Sequence, residues 1–157
     1  MNEEDVLNQV SIAFEYCYLH DAWVTPLDEA LSGIDSNTAR LKLSQESKSI
    51  WEIVLHLTVW NENIVERVQT KVATRPIEGA WPKLPEHQDA QAWETAKHRL
   101  RQSFESVQTL IHSTTMTEIN ASPYGLADLL CRFTHAAYHI GQITILKQGL
   151  WGIKSRF

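Results

Sequence analysis

Apolar residues recur at three- and four-residue intervals along most of the chain, so helices are expected rather than strands. Val6, Val10, Ala13, Phe14, Cys17 and Tyr18 mark a first segment from about Glu3 to Leu31. Pro26 is expected to kink or break it, since proline removes a helical hydrogen bond and clashes with the preceding turn. Ser49-Ile50-Trp51-Glu52 fits a capping box, and Ile53, Leu57, Trp60, Ile64 and Val68 follow, predicting a helix over about 50–71. Asp89 is a fitting N-cap for a third segment carrying Trp93, Ala96, Leu100, Phe104, Val107 and Ile111. Ser122-Pro123 reads as the start of a fourth segment that closes at Gly149. Its Leu126, Leu129, Leu130, Phe133, Ala136, Ala137, Ile140, Ile143 and Leu146 wrap nearly the whole circumference, the pattern of a helix buried on all sides.

Breakers agree with that pattern. Six Gly and five Pro are about 7% of 157 residues, against a typical ~12%. None falls between Ile34 and Arg75 or between Glu86 and Ser122. The expected fold is all-α, a four-helix bundle in a single domain spanning 1–157. The main irregularity is the connection 74–88, with three prolines, Gly79 and the apolar stretch Trp81-Pro82-Lys83-Leu84-Pro85.

Charge narrows the possible partners. The net charge is −5 with scattered basic residues, which offers no basic stripe for nucleic acid. No apolar run is long enough to span a bilayer, and the acidic start Glu3-Glu4-Asp5 is unlike a signal peptide. Cys17 and Cys131 read as two buried thiols in a reducing compartment rather than as a disulfide framework. The expected setting is therefore cytoplasmic, with no nucleic acid and no membrane.

Seven histidines and six tryptophans carry the candidate chemistry. On a helix, His135 and His139 differ by about 40° around the axis and about 6 Å along it, so both imidazoles can reach one ion. Gln142 lies about 20° to the other side of the same stripe. A bare His-x3-His also fits two helix histidines satisfied by ordinary partners, but unpaired imidazoles in an apolar core are costly to desolvate. A third ligand would have to come from another helix, and His56 lies mid-segment, close in angle to the inward residues Ile53 and Trp60. Three neutral imidazoles suit Zn(II) or Ni(II) and leave a position for water or substrate.

Other residues stand near that set, with Gln142 and Trp60 as pocket candidates. Tyr138 and Glu52 flank the proposed ligands as acid–base or supporting groups, although the capping box already accounts for Glu52. His20 could approach the mouth of a bundle, and Trp23 and Trp81 could wall a pocket. Asp128 and Arg132, one to two turns before His135, read as an intrahelical ion pair. His87 and His98 read as solvated, and His112 as a helix C-terminal histidine.

The Ser49–His56 stretch, the Trp81-Pro82 loop and His135-x3-His139-x-Gly141-Gln142 resemble the DinB/YfiT-like family of four-helix-bundle metalloenzymes, over almost the whole chain. The resemblance implies a metal triad at His56, His135 and His139. It implies an activity like that of thiol-dependent S-transferases, in which a metal activates a low-molecular-weight thiol, or of metal-dependent hydrolases acting through water. It also implies a small-molecule substrate and a homodimer. A different class of reading is a non-catalytic metal or small-molecule binding module with a structural triad, which would need a fourth protein ligand. A third is an interaction domain whose core histidines hold no metal.

Overall fold

The computed structural model describes residues 2–154; Met1 and residues 155–157 of the expected 1–157 domain lie outside the described residues. All regular structure among the described residues is helical: α1 (Glu3–Glu15), α2 (Leu27–Leu31), α3 (Ser36–Ala39), α4 (Ile50–Thr70), α5 (Ala90–Ser113), α6 (Met116–Asn120) and α7 (Gly125–Lys154). None of these helices is long and apolar enough to cross a membrane.

Local chemistry sets the helix ends. Ser49 accepts from the Glu52 N–H at 3.2 Å while the Glu52 carboxylate accepts from the Ser49 N–H at 2.9 Å, the reciprocal cap that starts α4. Asp89 caps α5 by accepting from the Ala92 N–H at 2.8 Å. Helix α4 stops at Lys71, which takes a left-handed conformation with φ +62°. Its ammonium then donates to the Glu118 carbonyl at 2.8 Å, tying the end of α4 to α6.

Two boundaries differ from the sequence expectation. The first segment is not one helix broken near Pro26: α1 ends at Glu15, and Pro26 instead stands at the N-cap of α2. The N–H groups of Tyr18, Leu19 and His20 all turn back onto the Glu15 carbonyl, at 3.2, 2.8 and 3.4 Å. That turn is held by Tyr18 stacking on Phe104 at 4.4 Å, so the apolar period runs on past the point where helical bonding stops. Likewise α7 begins at Gly125 rather than Ser122-Pro123. Buried Ser122 donates to the Ile119 carbonyl at 2.6 Å, closing α6 instead of capping α7. Gly125 follows with φ +56°, a conformation that costs glycine little.

The four long helices enclose one core. Helix α4 packs against α5 and α7, and α1 packs against the same two. Phe14 of α1 meets Phe104 of α5 at 5.7 Å and Phe133 of α7 at 4.9 Å. Trp51 of α4 and Trp93 of α5 pack at 5.1 Å, and the Trp93 indole N–H donates to the Ile34 carbonyl at 2.7 Å, pinning the α2–α3 connection.

Helix α7 is not buried all round, and Gly149 does not close it: it runs on to Lys154. Leu129, Phe133, Ala136, Ile140 and Ile143 face the core, whereas Leu130, Tyr138 and Ile145 are exposed. Apolar residues outside the core are common, because apolar atoms make up more than half of a folded surface. The same face exposes Cys131, which the sequence reading placed in the core; Cys17 is half-buried, and neither is in a disulfide. Burial pushes the Cys17 thiol up, and its S–H donates to the Ala13 carbonyl at 3.2 Å.

Candidate metal centre

The capped helix α4 carries His56 on its inner face, and α7 carries His135 and His139 on successive turns. Because α4 and α7 pack together, the three imidazoles meet. Their ring centroids lie 4.9 Å apart for His56 and His135, 4.6 Å for His56 and His139, and 4.5 Å for His135 and His139. One nitrogen from each ring falls within 4.8 Å of the other two. His56 and His139 are buried and His135 is half-buried.

The other ring nitrogens fix which way the lone pairs point. His56 Nδ1 lies 2.5 Å from the Ala80 carbonyl, which can only accept, so Nδ1 carries the proton and Nε2 presents a lone pair. The His139 Nδ1–H donates to Gln142 Oε1 at 2.6 Å, which leaves its Nε2 free in the same way, and the Gln142 amide donates to the Tyr138 hydroxyl at 2.9 Å. His56 Nε2 faces His135 Nε2 at 2.8 Å, with one proton between them. Hydrogen bonds from the remote nitrogen to a carbonyl or carboxylate are how metal-binding histidines are oriented.

Burial, opposed in part by the Ala80 bond and reinforced by the charge of His139, Arg132 and Lys48, lowers the His56 pKa to about 4. Burial, with Arg132 and the other two rings, takes His135 to about 3, and His139 moves in the same direction for the same first reason. The three rings are therefore neutral at pH 7, with lone pairs available and no proton to displace except the one shared by His56 and His135.

The 72–89 connection roofs the site. Trp81 lies flat on His56, with centroids 3.8 Å apart and planes 14° apart, and the Lys48 ammonium lies over the Trp81 ring at 4.8 Å from its centroid. Trp60 meets His56 edge-on at 6.4 Å. Of the pocket residues expected from sequence, Gln142, Tyr138 and Trp60 gather around the triad. Glu52 is engaged by the Ser49 cap, Lys42 at 2.9 Å and Lys48 at 3.3 Å. Burial alone would raise its carboxyl, but those partners outweigh it and hold it to about 2. His20 is exposed, with Glu15 and Tyr16 as neighbours, and Trp23 is almost fully exposed. A groove of about 570 Å³ between the start of α1 and the end of α5 is lined by Glu3, Glu4, Asp5 and His112 among others and includes none of the triad.

Two features were not read from the sequence. The Ala80 carbonyl carries no side-chain signal, because it depends on the path of a proline-rich loop. Asp128 and Arg132 do not form the expected intrahelical hydrogen-bonded pair: Asp128 binds Arg67 of α4 at 2.9 Å, both largely buried, and Arg132 Nε and Nη1 are left without an acceptor.

A family model described as the DinB superfamily matches residues 18–143, from the turn after α1 to deep within α7, and spans all three histidines. The chain belongs to the DinB superfamily. No curated protein and no solved structure matches it. For a DinB chain the triad is a good fit to a divalent ion. Zinc–imidazole bonds of about 2.0–2.1 Å in a tetrahedral set hold nitrogens about 3.3 Å apart, between the 2.8 Å and 4.8 Å found here.

Proposed function

We propose that this DinB chain is a divalent-metal enzyme, its four long helices forming the family's bundle and His56, His135 and His139 holding Zn(II) or Ni(II). The observation that carries the reading is the meeting of three neutral, oriented imidazoles from two helices in a group with no fourth ligating side chain among the described residues. A closed structural site needs a fourth protein ligand, whereas three leave room for a reactant. A bound divalent ion supplies Lewis acidity, which lowers the pKa of a thiol or of water toward neutrality.

The chain's own residues favour thiol transfer over hydrolysis. Water activation benefits from a nearby general base, yet Glu52 is committed to its cap and two lysines, and the Tyr138 hydroxyl accepts from Gln142. A thiol loses its proton with less help. Ala80 and Gln142 hold the imidazoles in one tautomer, and Trp81 shields His56 from solvent. The reading further includes a small-molecule, low-molecular-weight thiol substrate and a homodimer, the latter tested by sedimentation equilibrium.

Metal content tests the first step. Purified protein loaded with zinc or nickel and then dialysed should retain one ion per chain, and His135→Ala should lose it; equal retention by both would overturn the assignment. For reaction type, a Cys131→Ser background removes the exposed thiol. Zinc-loaded protein should accelerate alkylation of added cysteine by iodoacetamide more than hydrolysis of p-nitrophenyl acetate, and the reverse order would favour hydrolysis.

A further inference from the structure

Arg132 stands out on α7 as a cation that packs over the Trp60 ring yet has two guanidinium nitrogens without an acceptor. Its Nε and Nη1 are buried without a hydrogen-bond partner. Buried donors in folded proteins almost always have acceptors, and an unpaired charged one is among the most expensive groups to leave so. The carboxylate four residues earlier, Asp128, is hydrogen-bonded to Arg67 and meets Arg132 through its charge alone, which offsets only in part the burial that lowers the Arg132 pKa. Both guanidinium groups lie over the Trp60 ring, Arg67 at 5.7 Å and Arg132 at 4.8 Å, so two cations share one carboxylate.

That excess charge lies beside the triad. Arg132 precedes His135 by three residues on one helix, the spacing at which side chains are neighbours. It shares Trp60 with His56, which meets that ring edge-on at 6.4 Å. Its charge is felt by all three imidazoles, whose basicity it lowers. Neutral imidazoles bring no compensating charge, and a divalent ion would add two more positive charges. The group missing from this constellation is an anion, and a guanidinium binds carboxylate or phosphate oxygens with paired, charge-assisted hydrogen bonds.

We propose that Arg132 is an anion-binding, specificity-determining residue that holds an oxyanion group of the substrate beside the three histidines. The substrate is then an anionic small molecule, a carboxylate- or phosphate-bearing thiol or its acceptor. This deepens the metalloenzyme reading and rests on it for what happens to the substrate, but the anion site belongs to Arg132 and exists without the ion.

The test has two arms. In metal-free protein, the assigned Arg132 Nε–H resonance is followed by NMR as acetate or inorganic phosphate is added. A saturable shift is expected with at least one of them, and which one responds decides between carboxylate and phosphate. No saturable shift with either overturns the proposal, and this arm needs no variant. In zinc-loaded protein, calorimetry compares mercaptoacetate with 2-mercaptoethanol, the same thiol without the carboxylate. The wild type should favour mercaptoacetate by about tenfold or more, a difference expected of a hydrogen bond to a charged group. Arg132→Gln should bind both alike and Arg132→Lys should keep part of the preference; an undiminished preference in Arg132→Gln overturns the proposal. Failure to load zinc would sink the metal reading alone, because the first arm still reports on Arg132.

Discussion

Gln142 accepts the Nδ1 proton of His139 at 2.6 Å and so fixes that imidazole with its Nε2 toward His56 and His135. Gln142→Ala should weaken zinc affinity by about 10–100-fold, the usual cost of losing the partner of a ligating histidine, with little change in folding. Tyr138→Phe, at an exposed residue whose hydroxyl only accepts from Gln142, should change affinity far less. Competition with a chromophoric zinc chelator measures both. Equal effects would mean that Gln142 orients His139 only while the Tyr138 hydroxyl holds it.

The 72–89 connection reaches the triad through two contacts, the Ala80 carbonyl on His56 Nδ1 and the stack of Trp81 on His56. Removing the stack in Trp81→Ala should raise amide hydrogen exchange across residues 76–85 while leaving α4 and α7 protected. An unchanged exchange pattern would show that the Ala80–His56 bond and the prolines hold the loop in place without the stack.

Depressed histidine pKa values make the stability of the metal-free protein depend on pH. Unfolded imidazoles titrate near 6.5, while His56 and His135 in the fold titrate at about 4 and about 3. Between those values the unfolded chain binds more protons, so stability is complete above about pH 6.5 and falls as pH drops through the window. Glu52, held to about 2, extends the loss below its ordinary carboxylate range. Urea midpoints should therefore fall between about pH 7 and about pH 5, and less steeply in His135→Gln. A midpoint that rises toward acid would contradict neutral burial of the triad.

Trp93→Phe should destabilise the protein by about 1–3 kcal/mol, since it leaves the Ile34 carbonyl without its indole donor in a buried setting. Chemical denaturation gives the value. A change within error would mean that water reaches Ile34 freely.

Much of this molecule was legible from residue pattern. The Ser49 and Asp89 caps start α4 and α5 where the sequence places them, and helical spacing alone puts His135 and His139 on one stripe. What was illegible depended on tertiary competition. Tyr18 packs on Phe104 and ends α1 early, although its apolar period continues. Ser122 has the chemistry of an N-cap but is spent closing α6. Asp128 could pair with Arg132 along the helix or with Arg67 across it, and only the packing of α4 on α7 decides, which is why the unsatisfied arginine could not be read from spacing. The Ala80 carbonyl belongs to backbone that no side-chain pattern describes.

The central claim is that His56, His135 and His139 hold one divalent ion, and anomalous diffraction at the zinc edge from crystals of zinc-loaded protein tests it most directly. The account predicts a peak among the three rings, about 2.0–2.1 Å from Nε2 of His56, His135 and His139. Zinc bound elsewhere, or no peak with the His56–His135 contact still closed, would contradict it.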